Sequence, residues 1–528
     1  MSRSKHRVLI SVLALAGLAA LFVVLHNFRA RRALLAYKAE LVAKGEKLTI
    51  DELTPPFSTE AQRAASDLVQ AASQLRQGSV VPKNSPQPME MVSPGKTRIG
   101  CKQPDIRTRY GTNTWDELVE DLKLNAVALE QIREALKNPQ FDMNLNYKMG
   151  FLLMVPHLAK LKGVAQWLSA ATLNDLHADR LNAAASDLDV LLSLANAFRD
   201  EKLIISQLVR IAIAAIAIAP TWEALQAEGW TDAQLAALQK KWQSLDFSQA
   251  MENALAMERA MGIEMFDRLR DSSAELRPIF SGNYFRGGGA STGSAAPTNI
   301  AELPDFALEW SKERLSSLNS FAQETAWRWL WSHDDELRYL QTLQVMVEVP
   351  RRARITGSFT SARAWGTNEY RRVWKPGDSR SPKYFLSNQL GPALERASAK
   401  AARIETQREL VVTAIALKRY QLRHGRLPPD LKSMVREYLS QTPKDFMDGR
   451  ELRYRPNADG GFLLYSVNED GKDDGGDATL PKDRQDRPNL FNGRDMVWPM
   501  PATQAEEAEA RAKEGQNDHY FFRLPKGN

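Results

Sequence analysis

Near the C-terminal end of the chain, Tyr465 to Asp477 reads YSVNEDGKDDGGD, with five acidic residues inside nine positions broken by three glycines. Carboxylates this crowded repel one another unless a cation or a salt partner relieves them. Calcium takes six to eight oxygens, and glycines let a backbone fold round such an ion. A calcium loop is therefore one reading of the stretch, and a solvated acidic turn is the other. The EF-hand pattern does not fit. Counted from Asn468, the sixth position, reserved there for glycine, is Asp473, and the twelfth, its bidentate glutamate, is Thr479.

Other chemistry fails on inspection. Gly95-Lys96-Thr97 has the end of a phosphate loop, but the glycine required five residues earlier is Glu90. The histidines include no H-E-x-x-H and no pair at helical spacing, and there is no G-x-S-x-G elbow. His333-Asp334-Asp335-Glu336 offers metal-type side chains, but consecutive helical residues point in different directions, so a solvated helix face is expected. Trp327, Trp329 and Trp331 diverge by about 200° at steps of two on a helix and cannot form one stacking platform. Cys101 reads as a tolerated single thiol in a polar loop, and Glu258-Arg259 as paired charges inside a helical body.

What positions the acidic stretch begins at the other end of the chain. Val8 to Leu25 carries no charge, and at about 1.5 Å per helical residue it nearly spans a hydrocarbon core of about 30 Å. Arg3, Lys5 and Arg7 precede it and Arg29, Arg31 and Arg32 follow, with no small-x-small site after the apolar run, so an uncleaved anchor is expected rather than a signal peptide. The expected orientation keeps the short basic tail inside and exports the rest. A second apolar run, Leu203 to Pro220, holds Gln207 and Arg210 in its middle and reads as a buried core helix, because a lipid-exposed arginine is costly.

At 528 residues the chain is too long for one ordinary core, and 43% hydrophobic with 25% charged residues is the balance of a folded protein. A net charge of +6 over this length is too small to argue for nucleic acid, which is not expected as a partner. One cysteine excludes an intrachain disulfide. Thr59 with Gln62, Thr114 with Glu117 and Thr231 with Gln234 are capping boxes that start helices. The fold class is mainly α: an N-terminal membrane helix, an irregular helical bundle or solenoid-like, helical repeat-like body, and a small C-terminal α+β module with a β-hairpin. In order, we expect a basic tail (1–7), a transmembrane anchor (8–25), a helical continuation and connector (26–58), the helical body (59–280), and a Gly/Ser-rich linker (281–300). A helical segment with a polar connector (301–386), the α+β module (387–480) and a charged tail (481–528) follow. Within these, 79–100 reads as a surface loop, a helix ends at Pro350, a polar Arg-rich segment runs to about Ser387, and a long helix from about Pro392 stops at Gly425. Leu452 to Arg455 and Phe462 to Val467 form the hairpin, turning at 457–461.

The segment at about 405–480 resembles the C-terminal part of the major pseudopilin of the type II secretion system, a type IV pilin-like protein. An apolar helix precedes Tyr420, Gly425, Arg426 and Pro428; Tyr438-Leu439 leads to Pro443-Lys444-Asp445; Gly449, two strands and Tyr465-Ser466 follow, and an Asp/Gly-rich stretch closes the unit. The resemblance implies a pilin-like module whose loop binds calcium through Asp470, Asp473 or Asp474, and Asp477, with backbone carbonyls around Ser466. The family's Gly-Phe-Thr-Leu-x-Glu site does not occur here, and the apolar segment at 8–25 is far in sequence from the matching part. Filament assembly is therefore not carried over.

The function expected is that of a single-pass, non-enzymatic structural or interaction protein of a bacterial inner membrane, its bulk periplasmic, with the membrane and other proteins as partners. The alternatives are an accessory component of a type II secretion or pilus-like system and an envelope hydrolase with an unrecognised site.

Overall fold

A computed structural model of the chain describes residues 3–83, 86, 89–108, 111–137, 140–272, 274, 276, 323–378, 381–390, 395–458, 460–481 and 490–521. The expected linker at 281–300 and the helix start near Pro304 lie outside the described residues. The protein is mainly helical, with short strands in two stretches, 91–113 and 453–501.

Helix α1 runs unbroken from Arg3 to Ala43. Its apolar half is exposed along Ile10 to Leu25, whereas Ala30, Leu34 and Leu41 are buried in the body. One helix thus has an exposed apolar half and a half packed on the body, a pattern consistent with a membrane anchor continuing into a folded domain. The body is built from α2 (Ile50–Leu53), α3 (Thr59–Gln74), α4 (Trp115–Leu124), α5 (Ala126–Ala135), α6 (His157–His177), α7 (Leu181–Ala197), α8 (Ile204–Leu225), α9 (Asp232–Gln243) and α10 (Ser248–Asp271). The capping boxes at Thr114 and Thr231 form as expected. That at Thr59 does not: Ser58, one residue earlier, accepts from the Ala61 amide and caps α3.

The apolar run at 203–220 is helix α8, packed between α6, α7 and α10. Arg210 is 1% exposed, and its guanidinium donates to the Ala195 carbonyl and Gln207 Oε1 while lying over the Phe247 ring. These partners satisfy a cation that lipid could not.

Helix α11 (Ser332–Thr356) passes straight through Pro350 and ends at Gly357 in the left-handed region, φ 71°. The turn beyond the proline is held by ion pairs, Arg351 to Glu46 and Glu252, and Arg354 to Glu252, which offset the lost backbone bond. Most of the polar Arg-rich segment that follows is helix as well, α12 (Phe359–Val373), where Gly366 lies against α11. A Cβ there would stand 2.5 Å from Val349 Cγ2, so glycine sets the spacing of the two helices. Short α13 (Phe385–Leu390) precedes α14 (Glu395–His424), which packs on α8, α9 and α10 and so fills the body rather than standing apart from it. One continuous apolar cluster runs from Leu34 to Trp498.

Besides the hairpin of β3 (Ile106–Thr108) with β4 (Gly111–Asn113), two small sheets form, and the first of them joins distant parts of the chain. In the first, β1 (Met91–Ser93) pairs with β2 (Lys96–Thr97), and β2 pairs in parallel with β8 (Met500–Pro501), matching Lys96 to Met500. The 79–100 stretch is thus not a free surface loop: the Asp121 carboxylate takes the amides of Ser79, Val80 and Val81, and both valines are fully buried. In the second, β5 (Arg453–Pro456), β6 (Phe462–Ser466) and β7 (Met496–Val497) are antiparallel, with Arg453 opposite Tyr465 and Tyr465 opposite Val497. The sheet therefore draws its last strand from the segment read as a charged tail, which ends in helix α15 (Gln504–Phe521). Lys96 and Arg98 pair with its Glu506 and Glu507.

Candidate functional site

Helix α14 ends where Gly425 adopts φ 69° and its amide bonds the Gln421 carbonyl. The chain then returns so that Tyr438 meets Tyr420 edge-on, ring centroids 5.7 Å apart. This turn delivers Asp445 beneath β6. Asp445 is fully buried: Oδ1 accepts from the Met447 amide at 2.9 Å and Ser466 Oγ at 2.8 Å, and Oδ2 from the Val467 amide at 2.9 Å and Arg453 Nη1 at 2.9 Å. Burial pushes its carboxyl up, and these donors oppose that push. Arg453 extends the network to Asp448 at 2.6 Å and to Asp473 at 3.2 Å.

The residues expected to surround a calcium ion are distributed along this network. Ser466 is fully buried and spends its hydroxyl on Asp445 and on the Asn468 amide. Asp470 turns back on its own loop, Oδ1 accepting from the Lys472 amide at 3.1 Å. Asp473 accepts from the Gly475 amide at 3.1 Å, the Tyr465 hydroxyl at 3.0 Å and Arg453. Burial raises its pKa, but these three partners win and hold it below the usual carboxylate range. Asp474 and Asp477 face Arg494, at 3.8 and 3.5 Å, and Asp477 Oδ1 also accepts from the Thr479 amide at 2.9 Å.

The centre of the loop belongs to a residue the sequence reading passed over, Asp495. Its side chain is fully buried; Oδ2 accepts from the amides of Gly476 at 2.7 Å and Asp477 at 3.2 Å, and Oδ1 from Asp474 at 3.4 Å. Gly475 and Gly476 take φ of 76° and 86°, the left-handed geometry that aims successive amides at one point. Such a concavity binds an anion, and here the anion is the chain's own. Calcium wants oxygens where this loop offers amide hydrogens, and among the described residues no three His, Cys, Asp or Glu side chains are grouped as for a metal ion. In this arrangement the implied ligand set is not assembled. A lone aspartate before an apolar pair, Asp495-Met496-Val497, carried no signal strong enough to mark it.

A second polar cluster lies where α1 meets α10 and α11. The stretch 333–336, expected to be solvated, is the opposite: Asp335 and Glu336 are fully buried. Glu336 lies 2.5 Å from Lys38 and 2.6 Å from Arg270, and Asp334 reaches His26 at 2.9 Å and Lys383 at 3.0 Å. Asp335 accepts from Trp327 Nε1 and from the amides of Leu386 and Ser387. Burial still pushes its carboxyl up to about 6, and pushes the neighbouring His333 imidazole down to about 4. Of the three tryptophans, Trp327 is buried and Trp329 exposed, on opposite sides of a π-helical turn.

Just beyond α1, Glu46 bonds Arg259 at 2.9 Å, Arg351 at 2.6 Å and Gln344 at 3.1 Å. Burial opposes the Glu46 charge, but the two guanidinium groups prevail and hold its pKa down to about 2. Arg259 therefore pairs with a residue far away in sequence rather than with Glu258, whose carboxyl burial alone pushes up to about 7. Cys101 is buried, and burial first, then Glu223, pushes its thiol well above the ordinary range, away from nucleophilic use.

No protein-family model matches the chain, and neither the curated proteins nor the solved structures supply a match.

Proposed function

We propose that this protein is a single-pass, membrane-anchored structural or interaction protein, its bulk on the extracytoplasmic side of a bacterial inner membrane. The observation that carries the reading is the seating of α1. Its apolar half is bare, and the polar half of the same unbroken helix is fixed to the body by Lys38–Glu336 and His26–Asp334, with Glu46–Arg259 just past its end. A body held this way stands at a set height and angle to the bilayer, as a scaffold for other proteins must. Protease treatment of intact spheroplasts tests the placement: digestion of the body supports it, and protection until the membrane is lysed overturns it.

Within this reading the C-terminal unit is a pilin-like module. A long helix packed on an antiparallel sheet, joined through Gly425 and the Tyr420–Tyr438 contact, supports that assignment. Calcium belongs to the reading as a proposal that rests on the resemblance alone. An accessory role beside pseudopilins is the alternative, supported by the same module. Retention of pseudopilins on the immobilised full chain in detergent favours it, and their absence from the bound fraction counts against it.

A further inference from the structure

A cavity of about 570 Å³ opens between α11, α12 and the first half of α14. Its walls are apolar: Val345, Met346 and Val349 come from α11, Phe359 from α12 and Ala399 from α14. Gly366, where a Cβ would stand 2.5 Å from Val349 Cγ2, lines it as well, at the close approach of α11 and α12. The size falls within the roughly 300–1,000 Å³ of small-molecule sites.

The rim is cationic. Arg363 and Arg371 line it from α12 and Arg396 and Lys400 from α14, and among the described residues none of the four is in an ion pair. The acid that lines the cavity, Glu469, is 3.5 Å from Arg403, whose guanidinium also bonds the Phe491 carbonyl and Asn492 Oδ1. Arginines such as those at Glu46, Asp445 and Asp187 are, by contrast, matched with carboxylates. Four unmatched cations around one apolar hollow repel one another, and an anion among them removes that cost. Guanidinium forks suit carboxylate and phosphate oxygens.

We propose that this cavity binds an anionic amphiphile, a carboxylate or phosphate head on an apolar tail, with the head among Arg363, Arg371, Arg396 and Lys400 and the tail along Val345, Val349 and Phe359. The apolar walls exclude a bare inorganic anion as the fitted ligand, and the rim excludes a neutral lipid.

The test uses the full chain in nanodiscs of zwitterionic lipid and photo-crosslinking with a diazirine-bearing twelve-carbon fatty acid, the alkyl phosphate of the same tail, and the corresponding alcohol. Adducts are mapped by mass spectrometry and normalised to those on α1, which faces lipid in every arm. The site predicts adducts on peptides covering 345–370 and 396–403 with the acid or the phosphate, and at least fivefold fewer with the alcohol. Arg371→Glu with Arg396→Glu, exposed positions that leave the melting temperature unchanged, lowers the yield at least fivefold, and Ala399→Trp abolishes it by filling the hollow. The stronger of the two charged probes identifies the head group. Adducts confined to α1, yields indifferent to the charge reversal, or full protection by inorganic phosphate alone at millimolar concentration would each overturn the proposal.

Discussion

Glu46 Oε2 lies 2.9 Å from Arg259 Nη2, both side chains nearly out of contact with water, across 213 positions of sequence. That contact joins the end of the N-terminal helix to the middle of the body.

It also makes a pH prediction. Glu46 titrates at its usual 4.5 when unfolded and at about 2 when folded. Between those values the unfolded chain binds the extra proton, so this contribution, about 3 kcal/mol, is complete above pH 5 and lost as pH falls toward 2. Asp335, pushed up to about 6, works in the opposite direction, favouring the fold most below about pH 4 and less as pH rises through 6. The difference between wild type and Glu46→Gln isolates the first effect: melting curves from pH 3 to pH 6 should converge toward low pH. Parallel curves would show that the pair contributes nothing.

Asp445 and Asp470 lie close in the C-terminal unit but should behave unlike each other. Asp445→Ala strands the buried Ser466 hydroxyl and the Val467 and Met447 amides and leaves Arg453 only Asp448 and Asp473, and removing one partner of such a network costs about 3–5 kcal/mol. Asp470→Ala breaks an exposed turn and should stay within about 0.5 kcal/mol. Denaturant unfolding of the full chain in detergent compares them, and equal losses would contradict the network described.

Calcium, if it binds the acidic loop, must displace Arg494 from Asp474 and Asp477. Arg494→Ala should then tighten binding in a calorimetric titration of the full chain, and Asp470→Ala with Asp473→Ala should abolish it. No heat from any of the three proteins, and no change in melting temperature on adding a chelator, removes calcium from the account.

Gly366→Ala places a methyl 2.5 Å from Val349 Cγ2. Overpacking of this kind costs about 1–3 kcal/mol, against which better helix propensity returns up to about 1. A net loss is expected in the melting temperature, and Val349→Ala in the same chain should restore it. A stabilised single variant would mean the two helices part freely.

The sequence showed its elements better than their neighbours. The apolar N-terminal helix, the boxes at Thr114 and Thr231, the buried helix around Arg210 and the hairpin from Arg453 to Ser466 rest on local patterns, and each is present. Asp335 and Glu336 read as solvated because what buries them, the polar half of α1 and the start of α13 at Leu386–Ser387, comes from distant parts of the chain. The surroundings of the acidic loop were hidden in the same way: its aspartates are visible in the sequence, but their partners Arg453, Arg494 and Asp495 are brought to it by the sheet. Periodicity reports a face; it does not say what covers that face.

The parallel pairing of β2 with β8, and the bond from buried Trp222 Nε1 to the Pro499 carbonyl at 2.8 Å, set an order of events. A growing chain emerges with its helical body long before residues 496–501 exist, and until they arrive Trp222 and the edge of β2 have no partner. Contacts of such sequence separation form late and slowly. A chain without residues 496–501 therefore leaves the β2 edge unpaired on one side and Trp222 without its carbonyl, a strand edge of the kind on which a second chain can pair.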